Sequence, residues 1–491
     1  MRGFLASSIG VTCAAALALP LTPPALAAPA RSAPARPAPA TEAARPALPA
    51  GSPAMNPAER RAAEPYVAGS TQSLPLEPLT RTRATPSGPS TEQGLSRRAV
   101  RHFSLVGVIW DDPDAELHGR VRVRTRAAGT GTWSGWQDLE THNADHSADP
   151  DTPERASGRV RGATAPLWVG DSNGVELRVS SESAGRAAGS RARLSDTRKV
   201  PAALPLPSGL RLELVDPGKA DVTSLGVGGP RAADARNAES SALIEASAAN
   251  AGLAPLGATE IAALSRAGTE QEYLAFNAGV LTEQQRQAKP YIGPRPGIVT
   301  RRGWGANEGL RESGLRYTKK VKAAFVHHTA SGNKYSCSQV PSLIRGIYRY
   351  HVKSMGWRDI GYNFLIDKCG KIYEGRAGGV AKPVLGAHTL GFNSNSMGIA
   401  VLGSYGTKKP SKSAVKAIAR LTAWKLGLYR MNPKGKTYLK SAGSNLHRKG
   451  KKVRLNVISG HRDGFKTECP GRKLYGKLGS ARSKAARYQG R

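Results

Sequence analysis

The sequence predicts a multidomain protein in which a C-terminal α/β domain, with a mixed central sheet flanked by helices, is preceded by a small all-β domain and disordered linkers. With 491 residues, the chain is longer than one ordinary domain. Its middle part contains short runs in which apolar and polar residues alternate, as in antiparallel strands, whereas strand-like and helix-like segments alternate in its C-terminal part. Stretches rich in Ala, Pro, Gly and Ser indicate linkers before and between these parts.

The N-terminal region is predicted to comprise an export signal and a spacer. Residues 1–27 have a basic start, an apolar run from Phe4 to Leu19 and small residues Ala25 and Ala27 at a cleavage motif, as in a secretory signal peptide. An uncleaved amphipathic anchor is the alternative. No later stretch reaches the ~20 apolar residues of a membrane-spanning helix, so we expect a secreted protein without a transmembrane segment. Residues 28–100 cannot bury enough apolar surface to offset chain entropy and are predicted to be a disordered linker.

Residues 101–216 are predicted to form the all-β accessory domain. Its strand-like runs are FSLVGVIW, GRVRVRTR, PLWVG and VELRVSS, separated by Gly, Asp and Asn turns. Trp133 and Trp136 could stack on sugar rings, but such residues are more often part of a β-sandwich core. We recognise no catalytic residues in this domain. Residues 217–290, rich in Ala, Gly, Glu and Ser, are predicted to be a second linker with a marginal helix near 242–251.

The chain carries a large excess of positive charge, with 72 Lys and Arg against 36 Asp and Glu and a formal net charge of +36. This charge predicts attraction to a polyanion, although a merely solubilising surface is equally compatible with it. For an exported protein, anionic wall polymers or membrane surfaces are better candidates than nucleic acid. The sequence contains neither zinc-finger spacing nor an aromatic-rich RNA-binding motif.

The α/β domain, residues 291–480, is predicted to place two histidines at the ends of strands. The strand-like segments are VKAAFVH, YNFLI, KIYEG, MGIAVLG and VRLNVIS; PSLIRGIYRYHVKS and SAVKAIARLTAWKLGL are helix-like. VKAAFVH ends in a histidine of the motif FVHHTA, and VRLNVIS leads into His461. Adjacent strands can bring such distant residues to one rim of a sheet. Residues 481–491 are predicted to be a basic tail.

A metal site is predicted from the loop GHRDGFKTECPG. It contains His461 and Cys469, whose imidazole and thiolate can both bind zinc. Catalytic zinc is normally held by three protein ligands, which leave a fourth position for water. The sequence therefore requires a third donor from elsewhere, and FVHHTA is the predicted source.

The number of cysteines bears on the same site. Once a signal peptide is removed together with Cys13, the chain retains Cys337, Cys369 and Cys469. An odd number leaves one thiol unpaired in an oxidising compartment. We favour a disulfide between Cys337 and Cys369, which keeps Cys469 as a metal thiolate, over the pairings that would remove Cys469 from the metal site.

Four motifs, in the order FVHHTA, GWRDIGYNFLIDKCGKIYEGR, GAHTLGFNSNSMGIAVLGSY and GHRDGFKTECPG, resemble a known family. They are similar to the zinc amidase domain shared by peptidoglycan-recognition proteins and the phage lysozyme-type N-acetylmuramoyl-L-alanine amidases. The resemblance implies a zinc hydrolase, associated with the cell wall, that cleaves the amide bond between N-acetylmuramic acid and L-alanine in peptidoglycan. The alternative is a non-catalytic peptidoglycan-binding recognition protein. We expect a monomer whose basic surface could also bind anionic cell-wall polymers.

Position in the family motifs implies that the zinc ligands are His327, His461 and Cys469. His328 is not expected to bind the metal, because consecutive residues of a strand point to opposite faces.

The resemblance also implies roles for Tyr362, Thr467 and His388, and the sequence offers Asn393 and Arg376 as further candidates for substrate contact. Tyr362 and Thr467 would be catalytic, with the Tyr362 hydroxyl stabilising an oxyanion. His388, Asn393 and Arg376 would contact the substrate, and Arg376 could bind a stem-peptide carboxylate in a bidentate manner. For Arg376 an ordinary surface ion pair is an equally good interpretation, and turn chemistry is the alternative role of His388 and Asn393.

Overall fold

A computed structural model describes residues 69–79, 92–141, 143, 145–182, 204–219 and 241–491 of the chain. The predicted signal peptide, 1–27, and the first part of the predicted linker, 28–68, lie outside these residues. Among the described residues, no helix combines the length and apolar character needed to cross a bilayer.

Eight strands form an antiparallel sheet, which we call the β-domain. They are β1 (Ser70–Pro75), β2 (Glu77–Pro78), β3 (Glu92–Trp110), β4 (Gly119–Ala127), β5 (Gln137–Leu139), β6 (Gly162–Ala163), β7 (Leu167–Ser181) and β8 (Arg211–Asp216). Their order is β1-β8-β3-β7-β4-β5, and β2 and β6 both pair with β3. The alternation in GRVRVRTR orients β4, since Val121 and Val123 are fully buried whereas Arg120 is exposed.

Trp133 and Trp136 lie at the surface of the β-domain and are half-buried. The Arg97 guanidinium lies 5.0 Å from the centre of the Trp133 ring, and that of Arg124 lies 4.9 Å from the Trp136 ring. These contacts are cation–π interactions. The indoles are therefore covered by arginines and are not part of the sheet's apolar core.

The β-domain begins earlier than the predicted boundary at residue 101. β1 and the first part of β3 lie within 28–100, for which composition predicts a disordered linker. Ser70 pairs with Asp216 and Glu92 pairs with Ser180. Local composition gives a wrong boundary here because these segments are ordered by strands far away along the chain.

The C-terminal part contains a seven-stranded mixed sheet with helices on its faces, as predicted. Its strands are β9 (Glu260–Ile261), β10 (Ile298–Val299), β11 (Ala323–His328), β12 (Phe364–Ile366), β13 (Ile372–Glu374), β14 (Ser396–Val401) and β17 (Ile458–Gly460), and β15 (Lys436–Lys440) and β16 (Lys452–Asn456) form a separate hairpin. The order is β17-β11-β14-β12-β13-β10-β9, with parallel pairing from β17 to β12. The helices are α1 (241–248), α2 (Arg266–Phe276), α3 (Glu283–Gln287), α4 (Val340–Arg349), α5 (Lys412–Leu428), α6 (Arg472–Tyr475) and α7 (Leu478–Gln489).

Two predicted boundaries of the α/β domain are wrong. Residues 241–290, placed in the second linker, contain α1, β9, α2 and α3, and Ile261 and Tyr273 belong to the core. The predicted basic tail, 481–491, is mostly helix α7, whose Ala481 is fully buried. In both segments a few apolar residues are packed by distant partners, although the local composition is polar.

The β-domain and the α/β domain share an apolar core. Leu105 and Ile109 of β3 belong to the same buried cluster as Ile347 of α4 and Tyr350, which follows that helix. A Cβ atom on Gly107 of β3 would lie 2.2 Å from the Tyr350 hydroxyl oxygen. Glycine at this position therefore permits the close approach of the strand to the helix end.

Candidate metal centre and active site

The predicted metal ligands lie at the ends of neighbouring strands. His327 is near the end of β11, and His461 directly follows β17. β11 and β17 are parallel, and Val326 lies opposite Gly460, so the two histidines follow paired positions. Cys469 approaches from the loop after His461. The parallel pairing explains why residues so far apart in the sequence lie next to each other.

The three side chains converge on one buried point. His327 Nδ1 lies 3.1 Å from His461 Nδ1 and 3.8 Å from Cys469 Sγ. His328 points elsewhere: its Nδ1 accepts a hydrogen bond from the backbone N–H of Tyr405 at 3.3 Å, and its own backbone N–H lies 3.4 Å from Cys469 Sγ. The structure thus brings the His327 side chain, and not that of His328, into the cluster.

A fourth donor, which sequence reasoning missed, comes from the β-domain. His146 lies in the segment between β5 and β6, and its Nε2 is 3.3 Å from His327 Nδ1 and 3.6 Å from Cys469 Sγ. The donor atoms of these three residues and of His461 all lie within 4.8 Å of one another, so the group can hold a metal ion. The only local signal is an Asp-His pair in a polar stretch, which is too common to identify a ligand.

Four of the six donor–donor distances in this group are compatible with a zinc ion, and none of the six exceeds 4.8 Å. With zinc–nitrogen bonds of about 2.0–2.1 Å and a zinc–sulfur bond of about 2.3 Å, a tetrahedral site has nitrogen–nitrogen edges of about 3.3 Å and nitrogen–sulfur edges of about 3.6 Å. The nitrogen–nitrogen distances of 3.1 and 3.3 Å and the nitrogen–sulfur distances of 3.6 and 3.8 Å lie close to these values. Three imidazoles and one thiolate also form a donor set that zinc prefers.

Burial determines the protonation of these donors. It lowers the pKa of His327 well below its usual range and that of His461 to about 3, so both imidazoles are neutral, the form that binds a metal. Burial, with a further contribution from Asp145, raises the pKa of the Cys469 thiol. A thiolate at this position therefore needs a nearby cation, which a divalent metal would supply.

Tyr362 and Thr467, the predicted catalytic residues, lie beside the cluster. The Tyr362 ring centre is 5.6 Å from that of His327, and burial raises the pKa of Tyr362 well above its usual range. Its hydroxyl therefore stays protonated and can donate a hydrogen bond. The Thr467 hydroxyl accepts a hydrogen bond from the backbone N–H of Cys469 at 3.1 Å.

His388 is behind the cluster and is fully buried. Its Nδ1 lies 3.3 Å from His327 Nε2 and 3.0 Å from the Thr389 hydroxyl. In this structure His388 therefore contacts a proposed metal ligand and has no exposed surface that could meet a substrate.

Arg376 and Asn393 both contact the segment that carries His146. The Arg376 guanidinium donates two hydrogen bonds of 2.8 Å to the Glu154 carboxylate. The Asn393 side-chain amide donates to Asp149 Oδ1 and to the Ser147 carbonyl, both at 2.8 Å. Both residues predicted to bind substrate are thus engaged by the protein's own chain.

The structure contains a disulfide between Cys337 and Cys369, whereas Cys469 is a free, buried thiol. The disulfide joins the turn before α4 to the loop between β12 and β13. This is the pairing that the sequence favours, and it leaves Cys469 available to the metal cluster.

Known proteins resemble this chain in both domains. Residues 317–472 match the family described as N-acetylmuramoyl-L-alanine amidase, and residues 56–202 match the Rv3811 N-terminal galactose-binding domain-like family. Peptidoglycan-recognition protein SC2 of Drosophila simulans is 33% identical over 181 residues, which are 37% of this chain and 84% of that protein. The peptidoglycan recognition protein of Trichoplusia ni is 31% identical over 183 residues, 37% of this chain and 85% of that protein. The solved structure of wild-type Drosophila PGRP-LB aligns at 28% identity with a TM-score of 0.30, covering 37% of this chain and 92% of that one.

Proposed function

This chain belongs to the family of peptidoglycan-recognition proteins and N-acetylmuramoyl-L-alanine amidases, and we propose that it is a zinc-dependent amidase. In this proposal it hydrolyses the amide bond between N-acetylmuramic acid and L-alanine in peptidoglycan. The supporting observation is the convergence of His327, His461 and Cys469 at the rim of the mixed sheet. These three ligands alone leave a fourth position for water, which hydrolysis requires and the mere binding of peptidoglycan does not.

Each residue that has a role in this proposal can perform that role from the position it occupies in the structure. Zinc held by the histidines and the thiolate would supply Lewis-acid activation of a water and of the scissile carbonyl. The protonated Tyr362 hydroxyl donates a hydrogen bond to the oxyanion that develops on that carbonyl. Thr467 fixes the backbone at Cys469 and so keeps the sulfur directed at the cluster. His388 holds the His327 ring from behind, at 3.3 Å between nitrogens, and thereby fixes its orientation.

The same proposal assigns the protein to the outside of the cell. Residues 1–27 would direct export, and peptidoglycan would be the principal partner. The net charge of +36 would add attraction to anionic wall polymers. Such attraction should weaken as ionic strength rises, because salt screens exposed charges.

The test combines metal analysis with product analysis on the full chain. We expect one zinc per chain and the appearance of new L-alanine amino termini when soluble muropeptides are digested. Hydrolysis is measured both for the wild-type protein and for a His146→Ala variant, in which the fourth donor is removed. Absence of stoichiometric zinc would overturn the metal assignment. Zinc and muropeptide binding without new amino termini from either protein would support the non-catalytic recognition protein.

A further inference from the structure

The segment between β5 and β6 is inserted into the proposed active site. We call residues 145–158 the plug. Its first five residues, Asp145 to Asp149, are all buried, although they belong to a connection between two strands of the β-domain. Connections of this kind normally lie at the surface, where water satisfies their backbone groups. The burial of this one therefore calls for a specific role.

We propose, on the basis of the amidase function proposed above, that the plug keeps the resting protein latent. In this proposal His146 is a fourth zinc ligand, and the acidic residues of the plug occupy the region around Arg376 and Asn393, the predicted substrate contacts, which we call the groove. The proposal contains two separable claims. One concerns the coordination of the metal and the other concerns the groove.

The coordination claim rests on the orientation of His146. Its Nδ1 lies 3.0 Å from the Asp145 carboxylate, which leaves Nε2 directed at His327 and Cys469. A carboxylate that holds one imidazole nitrogen while the other binds metal is the usual supporting arrangement of zinc histidines. The other carboxylate oxygen of Asp145, Oδ2, lies 3.6 Å from His461 Nδ1, so the carboxylate that supports His146 also faces a proposed ligand of the α/β domain.

A fourth protein ligand has a direct chemical consequence. Zinc sites that catalyse hydrolysis keep one coordination position for water or substrate, whereas sites with four protein ligands are closed and structural. His327, His461 and Cys469 alone form an open site. With His146 in place the same site has the ligand number of a closed one.

The groove claim rests on the acidic residues of the plug. Asp149 Oδ1 accepts hydrogen bonds of 2.8 Å from the Gly391 backbone N–H and from the Asn393 side chain. Glu154 is bound by Arg376 through both carboxylate oxygens. Peptidoglycan stem peptides also present carboxylates and backbone carbonyls. The plug therefore satisfies, within the chain, the groups that an acidic peptide substrate would use.

The metal environment is tested with the cobalt-substituted full chain, because Co²⁺ in a thiolate site has visible absorption that responds to its ligands. We expect azide to leave the wild-type spectrum unchanged and to shift that of His146→Ala, whose site has a free position. The matched control is His118→Ala, which removes an exposed histidine of the same domain. It should behave as wild type.

Two further readouts follow from the same variants. His146→Ala should weaken zinc binding by roughly 100-fold or more in chelator competition, since a direct ligand is lost and the loss of an outer-shell partner alone typically costs about 10- to 100-fold. It should also raise muropeptide hydrolysis by about tenfold or more, because a site open in only a small fraction of molecules works at that fraction of its full rate. A second variant, Asp149→Asn with Glu154→Gln, keeps every metal donor but loosens the plug. It should likewise gain azide sensitivity and activity.

The outcomes separate this proposal from the amidase function. An azide-induced shift in wild type as large as in His146→Ala would overturn the plug, whatever the hydrolytic activity. A closed wild-type site that opens in the variants while none of the proteins hydrolyses muropeptide would support the coordination claim and contradict the amidase. If His146→Ala does not fold, the proposal is tested with the Asp149→Asn, Glu154→Gln variant. The absence of a gain in both azide sensitivity and muropeptide hydrolysis in that variant would overturn the proposal.

Discussion

Glu154 and Arg376 form a buried, bidentate ion pair between residues that are 222 positions apart, with each carboxylate oxygen 2.8 Å from a guanidinium nitrogen. Both side chains are only 8% exposed. Burial opposes the charge on Glu154, but attraction to Arg376 outweighs it and lowers the pKa of the carboxyl. The pair connects the plug to the α/β domain, so its strength measures how firmly the plug is attached.

Glu154→Ala should lower the free energy of unfolding by about 3–5 kcal/mol, because it leaves the Arg376 guanidinium buried and unpaired. The double variant with Arg376→Ala should be less destabilised than the sum of the two single variants. Urea denaturation at neutral pH measures all three. If the losses of unfolding free energy in the two single variants add up to the loss in the double variant, Glu154 and Arg376 do not interact as the structure shows.

Cys469→Ser should abolish stoichiometric zinc binding and hydrolysis, because a neutral hydroxyl is a much poorer zinc ligand than a thiolate. His328→Asn is the matched control, since that side chain is directed at the Tyr405 backbone. It should retain zinc. The zinc content of the purified proteins is measured by metal analysis. Loss of zinc in His328→Asn with retention in His327→Asn would mean that His328, and not His327, is the metal ligand.

Tyr362→Phe should reduce turnover by roughly 10²- to 10³-fold, as the loss of one oxyanion donor typically does. Zinc content and muropeptide affinity should remain nearly unchanged, since the ring still packs beside His327. The change is best introduced into His146→Ala, where turnover is expected to be higher. Tyr438→Phe, at an exposed position, is the control. Near-normal turnover in Tyr362→Phe would make Tyr362 a packing residue.

Glu374 should make the protein less stable as the pH rises from about 4.5 to 7. Burial raises its pKa to about 7, so between these values the unfolded carboxyl has lost its proton while the folded one retains it. The loss should be on the order of 2–3 kcal/mol. Denaturant titrations at both ends of the range measure it. In Glu374→Gln this part of the pH dependence should vanish, and an unchanged profile would show that other groups cause it.

The sequence predicts the centre of the α/β domain well because its strands are short apolar runs and helices α4 and α5 have a locally patterned apolar face. The convergence of His327, His461 and Cys469 follows from strand ends and one loop, so it too can be anticipated. The contribution of His146 cannot be anticipated, because this residue is 181 positions from His327 in the sequence. Its location depends on how a connection of the β-domain folds against the α/β domain. The same dependence on distant partners explains why β1 and α2 lie in segments whose composition predicts linkers.

The buried contact of Gly107 with Tyr350 has a consequence for how the plug could leave the groove. Because the two domains are joined through an apolar core, the plug is tethered at both ends to strands that cannot drift away. A displaced plug would stay at an effective concentration in the millimolar range beside the groove. Soluble fragments at low concentration would compete poorly with it, whereas the dense, repeated peptides of an intact wall could hold the site open. Such a protein would respond to the density of its substrate.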